Sequence, residues 1–146
     1  MLGFGGAEIG YENAPNEDVA RIVGAAMDAG VNVFDTGECY QDSEEKLGLA
    51  LRGHRSQVFV FTKCGHASGL DGEDWSPRVL AESIDRSLIR LRTDYVDLMQ
   101  LHSCSSDVLR KGEAIEVLQR ARQAGKTKFI GVRNVGLRLE GTPIDR

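Results

Sequence analysis

Short apolar runs and one-faced helical stripes alternate along this chain, and that alternation narrows its fold more than any other feature. Between Asn16 and Ala29, Val19, Ile22, Val23, Ala26 and Met27 recur at i, i+3, i+4, i+7 and i+8, behind acidic Glu17 and Asp18 and ahead of Gly30. This spacing predicts a helix with one buried face. Val31–Asp35 follows as an apolar run, and Ser43 is expected to cap a second stripe in which Leu47, Ala50 and Leu51 share a face. Val58–Lys63 (VFVFTK) is apolar until its last residues, as a strand covered on both sides reads. Ser76 followed by Pro77 marks another helix start, with Leu80, Ile84, Leu88 and Leu91 behind it. Trp75, just before that cap, reads as a hydrophobic staple onto the helix. Tyr95–His102 reads as a strand, Gly112 to Ala124 as a helix, and Phe129–Val132 as a strand; Leu2–Gly5 would be the first strand. The order is β-α-β-α-β-α-β-α-β, and strict alternation of this kind gives a parallel sheet with helices outside it, an α/β fold.

Two parallel-sheet architectures fit. A doubly wound nucleotide-binding sheet would place a phosphate loop between the first strand and the first helix. GFGGAEIG has closely spaced glycines there, but not the G-x-G-x-x-G spacing, and the helix starts about ten residues later than that loop requires. The other architecture is a (β/α)8 barrel. Eight strand–helix units take roughly 250 residues, so five strands and four helices in 146 residues correspond to a partial TIM barrel whose first and fifth strands are open edges. Residues 1–132 are expected to form the N-terminal half of that barrel. Residues 133–146, NVGLRLEGTPIDR with the preceding Arg133, follow no strand–helix pattern and are expected to be a divergent tail.

Composition excludes some classes of function. No apolar run approaches the roughly 18 residues of a membrane span, and a formal charge of −4 argues against a broad phosphate-binding surface. The opening MLGFGGAEIG lacks the basic and long apolar stretches of a secretory signal, and three cysteines suit reduced thiols, so a cytoplasmic protein with a small-molecule partner is expected.

Barrel chemistry gathers at the C-terminal ends of the strands. There the second strand delivers Asp35 to Tyr40, the third Thr62 to His66, and the fourth Gln100 to Cys104. A carboxylate, a phenol, an ammonium and an imidazole therefore share one rim. A tyrosine with a pKa near 10 exchanges protons poorly at pH 7, and a desolvated lysine beside it would lower that value; three units correspond to roughly 4 kcal/mol.

GVNVFDTGECY, SEEKLGLAL, VFVFTKCG, SLIRLRTDYVDLMQLH and AGKTKFIGV occur in this order, and together they resemble an aldo-keto reductase from about residue 2 to 132. The resemblance implies a barrel that binds NADPH, or less often NADH, across its rim without a Rossmann motif and reduces aldehydes and ketones to alcohols. It places the catalytic tetrad on Asp35, Tyr40, Lys63 and His102. Tyr40 would give its proton to the carbonyl oxygen, Lys63 would lower the tyrosine pKa, Asp35 would pair with Lys63, and His102 would orient the carbonyl. Asp35 would also contact the nicotinamide ribose. In the turn after the fifth strand Asn134 would hold the nicotinamide amide, although Arg133 stands where the family commonly has serine. The remaining barrel strands carry the family's other cofactor contacts. The chain is therefore expected to be a fragment, from truncation or a frame change near residue 133, that binds cofactor poorly alone and self-associates through its open edges.

Two other readings share some of these residues. One is a cofactor-binding barrel module without turnover. The other is a zinc site using Cys39, Cys64 or Cys104 with His66 and His102, but C-x-H and H-x-C lack the short C-x-x-C loops of most structural sites, so no metal is expected. Asp97 reads as a hydrogen-bonded barrel residue, and Glu44, Glu45 and Lys46 as a solvated helix face.

Overall fold

A computed structural model describes residues 2–133. Five strands, β1 (Gly3–Gly5), β2 (Val33–Asp35), β3 (Phe59–Cys64), β4 (Val96–His102) and β5 (Thr127–Arg133), lie in sequence order in one parallel sheet. The helices are α1 (Ala7–Tyr11), α2 (Asn16–Asp28), α3 (Ser43–Ala50), α4 (Pro77–Leu91), α5 (Ser106–Lys111) and α6 (Glu113–Gln123). The four expected helices are α2, α3, α4 and α6. The two others have five and six residues, too short to show a helical period. Among the described residues no helix is long and apolar enough to cross a membrane.

Alternation along each strand divides the sheet into two unlike faces. Phe34, Val60, Met99 and Leu101 turn toward the helices and are fully buried, packed with Val19, Val23, Leu47, Leu80, Ile84 and Leu118. The register aligns Val33 with Phe59, and Phe61 with Leu98 and Phe129, on the opposite face. There Phe59 is 47% and Phe129 67% exposed, because none of the described helices covers that side. This arrangement is the α/β, partial-barrel fold expected from the alternation.

Several boundaries moved for identifiable reasons. Gly30, at positive φ, closes α2 with bonds from the Gly30 and Val31 amides back to Met27 and Ala26 oxygens at 2.9 Å each. Val31 is thereby used by the helix end, and β2 begins at Val33. At the other end β5 runs through Arg133, one residue past the expected boundary of the barrel segment. The Ser76 side chain caps α4 by accepting from the Val79 amide, with Pro77 in the first turn, as the sequence predicts. Ser43 does not cap: it is the first residue of α3 and is buried, donating to the Gly6 carbonyl at 2.6 Å and bonding the Thr36 hydroxyl at 2.8 Å.

The solvated face expected of α3 is also corrected. Glu44 is fully buried, accepting from the Thr62 hydroxyl at 2.6 Å with Arg90 at 3.8 Å, and Lys46 is buried between the Ile9 carbonyl and Asp42. Packing of α3 against α1, α2 and α4 leaves it little outward face. Asp97, by contrast, is a buried acceptor at the far end of the sheet, bonded by the Val60 amide, Arg55 and Lys128, which is the structural role expected of it.

Candidate active site

The C-terminal ends of β2, β3 and β4 bring four expected side chains together. Asp35 ends β2 and Lys63 is the penultimate residue of β3; their side chains project to the same face, and the Lys63 ammonium donates to Asp35 Oδ1. Lys63 also donates to the Thr36 carbonyl and is only 2% exposed, whereas the Asp35 side chain is 38% exposed. Beyond β2 the backbone keeps its ladder to β3, through Thr36 N to Phe61 O at 2.9 Å and Glu38 N to Lys63 O at 3.1 Å. That ladder fixes where the turn delivers Tyr40.

The Tyr40 ring lies over Lys63, with Nζ 4.9 Å from the ring centroid, and meets the edge of the His102 ring at 5.6 Å between centroids. Its backbone is held from below by α1. A Cβ on Gly10 would stand 2.1 Å from the Tyr40 carbonyl oxygen, so only glycine allows α1 this close to the loop. Part of the glycine-rich stretch near the N-terminus therefore serves packing.

Electrostatics departs from the sequence expectation at Tyr40. Its phenol is held above the ordinary value, first by burial and then by Cys39 and Asp35, with Arg133 acting the other way. The expected lowering does not result: burial comes first, and the carboxylate paired with Lys63 itself opposes ionisation of the phenol. His102 is driven down to about 4, by burial first and then by its electrostatic interactions with His66, Lys63 and Arg133, and is a neutral imidazole at pH 7. Its Nδ1 lies 3.2 Å from Cys39 Sγ. The Cys39 thiol is pushed up by burial and by Glu38, so it stays protonated at neutral pH.

Three residues that support the rim are not evident in the sequence. Trp75 does more than staple α4: at positive φ it turns its indole under the rim, donates Nε1–H to the His102 carbonyl at 3.0 Å, and meets the His66 ring edge at 5.3 Å. Arg86, from α4, donates to the buried Glu38 carboxylate and to the Ala67 and Ser68 carbonyls. It thereby ties the loop after β2 to the loop after β3. Arg86 is one of several charged residues on α4, so only its partner, a glutamate inside a strand-end turn, offered any signal for this clamp.

Two of the three cysteines of the zinc reading lie away from solvent. Cys64, the last residue of β3, faces the helices and is buried, its thiol directed at the Gln100 carbonyl at 3.6 Å, and Cys104 is likewise buried. Gly65, at φ +130, then turns the chain so that His66 comes to the rim. Asn134 lies outside the described residues. Arg133, at the end of β5, pairs in register with His102.

A family model described as the aldo/keto reductase family matches residues 1–139. Among curated proteins, L-galactose dehydrogenase of Arabidopsis thaliana is 36% identical over 99% of this chain and 48% of its own length. The 6-dehydroglucose reductase of Novosphingobium aromaticivorans is also 36% identical, over 80% of this chain and 41% of its own. The solved aldo-keto reductase AKR11C1 of Bacillus halodurans, in its holo form, superposes with a TM-score of 0.81 at 33% identity, covering 92% of this chain and 46% of that one. The chain spans about half the length of the curated relatives it matches.

Proposed function

The chain belongs to the aldo/keto reductase family, and from that premise we propose that it carries the proton-transfer side of a nicotinamide-dependent reduction of aldehydes or ketones, with Tyr40 as the acid. One observation above all supports this reading: the Asp35–Lys63 pair, the Tyr40 ring and the neutral His102 ring converge on one strand-end rim. The exposed carboxylate of Asp35, on the open face of the sheet, has the chemistry to accept a ribose hydroxyl, and Asp35 with Asn134 would hold that part of NADPH or NADH. When bound, the cofactor supplies hydride to the carbonyl carbon.

The remaining steps fall to this chain's own residues. His102, neutral and with Nδ1 turned to Cys39, has its Nε2 available to hydrogen-bond the carbonyl oxygen and orient it. Tyr40 keeps its phenolic proton until negative charge develops on that oxygen, and then donates it. The Lys63 ammonium stands beside the ring left negative, 4.9 Å from its centroid. Asp35 holds the ammonium in place. Burial keeps the acid loaded before the transfer.

The test is NADPH and NADH fluorescence titration of the 146-residue chain, with aldehyde-dependent cofactor oxidation as the turnover readout. The names of two relatives, L-galactose dehydrogenase and 6-dehydroglucose reductase, support including polyhydroxylated aldehydes in the substrate panel. Tyr40→Phe is expected to slow reduction by about 10²- to 10⁴-fold while leaving cofactor affinity within about twofold. Turnover retained in that variant would remove Tyr40 from the role of acid.

A further inference from the structure

Cys39 in the turn after β2, His66 in the turn after β3 and His102 at the end of β4 come from three separate segments, yet each offers a ligand atom within 4.8 Å of the other two. Among the described residues this is the one group of three or more Cys, His, Asp or Glu side chains so placed. We propose that these three side chains form a binding site for a borderline-soft divalent cation of the zinc class, with its fourth position open to solvent.

The donor set is one thiol and two imidazoles, which suits Zn²⁺ and not the oxygen-preferring Mg²⁺ or Ca²⁺. A tetrahedral zinc ion at about 2.3 Å from sulfur and 2.0–2.1 Å from nitrogen brings its ligand atoms to roughly 3.3–3.7 Å of one another. Cys39 Sγ and His102 Nδ1, at 3.2 Å, already meet that spacing. His66 has to approach by about an ångström, within reach of its broad χ2 torsion.

A second and independent observation concerns His66. Its Nδ1 is bonded to Asp74 Oδ2 at 3.0 Å, and the other Asp74 oxygen is anchored by the Ala67 amide at 2.8 Å. The carboxylate fixes the ring and leaves Nε2 as the outward nitrogen, the arrangement in which a carboxylate orients a metal-bound histidine. Trp75 packs against the same ring at 5.3 Å, so His66 is held from two sides. Binding converts the Cys39 thiol to thiolate and releases one proton to solvent, so the site gains a negative charge as the cation arrives. Lys63, the nearby ammonium, is already matched by Asp35.

The site goes beyond the carbonyl chemistry and does not depend on it, since an inactive chain would still load the ion. The probe is Co²⁺ titrated into the full 146-residue chain under reducing conditions, followed by Zn²⁺ displacement. One equivalent is expected to give a thiolate-to-cobalt charge-transfer band with intense tetrahedral d–d bands, abolished by Zn²⁺. Cys39→Ser should remove the charge-transfer band, Cys64→Ala and Cys104→Ala should keep it, and Asp74→Asn should weaken binding about tenfold. Failure of one equivalent to bind, or a band that survives Cys39→Ser or disappears with Cys64→Ala, would overturn the proposal. Because Asp74 is exposed, its variant keeps the fold, so a lost fold in one cysteine variant cannot mask the result.

Discussion

Tyr40 holds its proton because its surroundings remove water without offering the phenolate an unmatched cation. The Asp35 charge both pairs with Lys63 and opposes ionisation of Tyr40. Asp35→Asn is therefore expected to lower the phenol pKa, read as tyrosinate absorbance on titration against a Tyr40→Phe reference; an unchanged or higher value would show that Asp35 does not set the acid. Glu44 supplies a second titration with a definite sign. Burial raises its carboxyl from 4.5 to about 7, with the Thr62 bond opposing. The folded state then keeps a proton that the unfolded chain has lost between those values, so stability is fully present below the unfolded pKa and falls as pH rises toward 7. His102 works in the other sense, its lowered pKa giving stability above about 6.5 that is lost as pH falls toward 4. Glu44→Gln leaves the histidine in place, so the difference between the two proteins isolates the carboxyl. Relative to the parent, the variant's urea-derived stability should gain about 3 kcal/mol between pH 4 and pH 7. The proposed quartet was legible in the sequence because strand parity and strand ends fix where Asp35, Lys63 and His102 point. Glu44 was not, because three consecutive charges read as a solvated face unless the helix is known to be enclosed.

Helix α3 shows how packing overrides pattern at the level of elements. Its neighbours come so near that a Cβ on Gly48 would lie 2.4 Å from the Arg90 carbonyl at the end of α4, and one on Gly10 would strike the Tyr40 carbonyl from α1. Both glycines have ordinary negative φ, so conformational preference gives no hint of them, and only the three-dimensional approach makes them necessary. Gly48→Ala is expected to force α3 and α4 apart and to lower the urea-derived stability by about 1–3 kcal/mol, where alanine in an ordinary helix would raise it by up to about 1. A stabilised variant would show that the two helices can separate without cost. The same contrast explains what could be read of the architecture. Helices α2, α4 and α6 announce themselves through long apolar stripes with caps, and β3 and β4 through continuous apolar runs. Helices α1 and α5 are one or two turns held by tertiary contacts and by the Ser105 cap, and no period can emerge from so few residues.

Across the molecule the two faces of the sheet have different fates. The helix side is closed and carries the core, while the other side shows Phe59 and Phe129 largely exposed beside the partly exposed Val33, Phe61 and Leu98. Strand order makes these residues neighbours, and the short β1 and long β5 leave the sheet with two edges. An aromatic face of this kind on a folded chain is an adsorption surface for amphiphilic dyes. The native chain is expected to enhance anilinonaphthalene sulfonate fluorescence in the absence of denaturant. Replacing both exposed aromatics, Phe59→Ser with Phe129→Ser, should cut that enhancement by more than half. Far-ultraviolet circular dichroism should be unchanged, because these side chains contribute little to the closed core. A competing surface exists in the groove between α4 and α6, lined by Pro77, Ala81, Ile84 and Val117. Full dye enhancement in the double variant, lost instead on Ala81→Glu, would assign the adsorbing surface to that groove and leave the open sheet face without a measurable part in it.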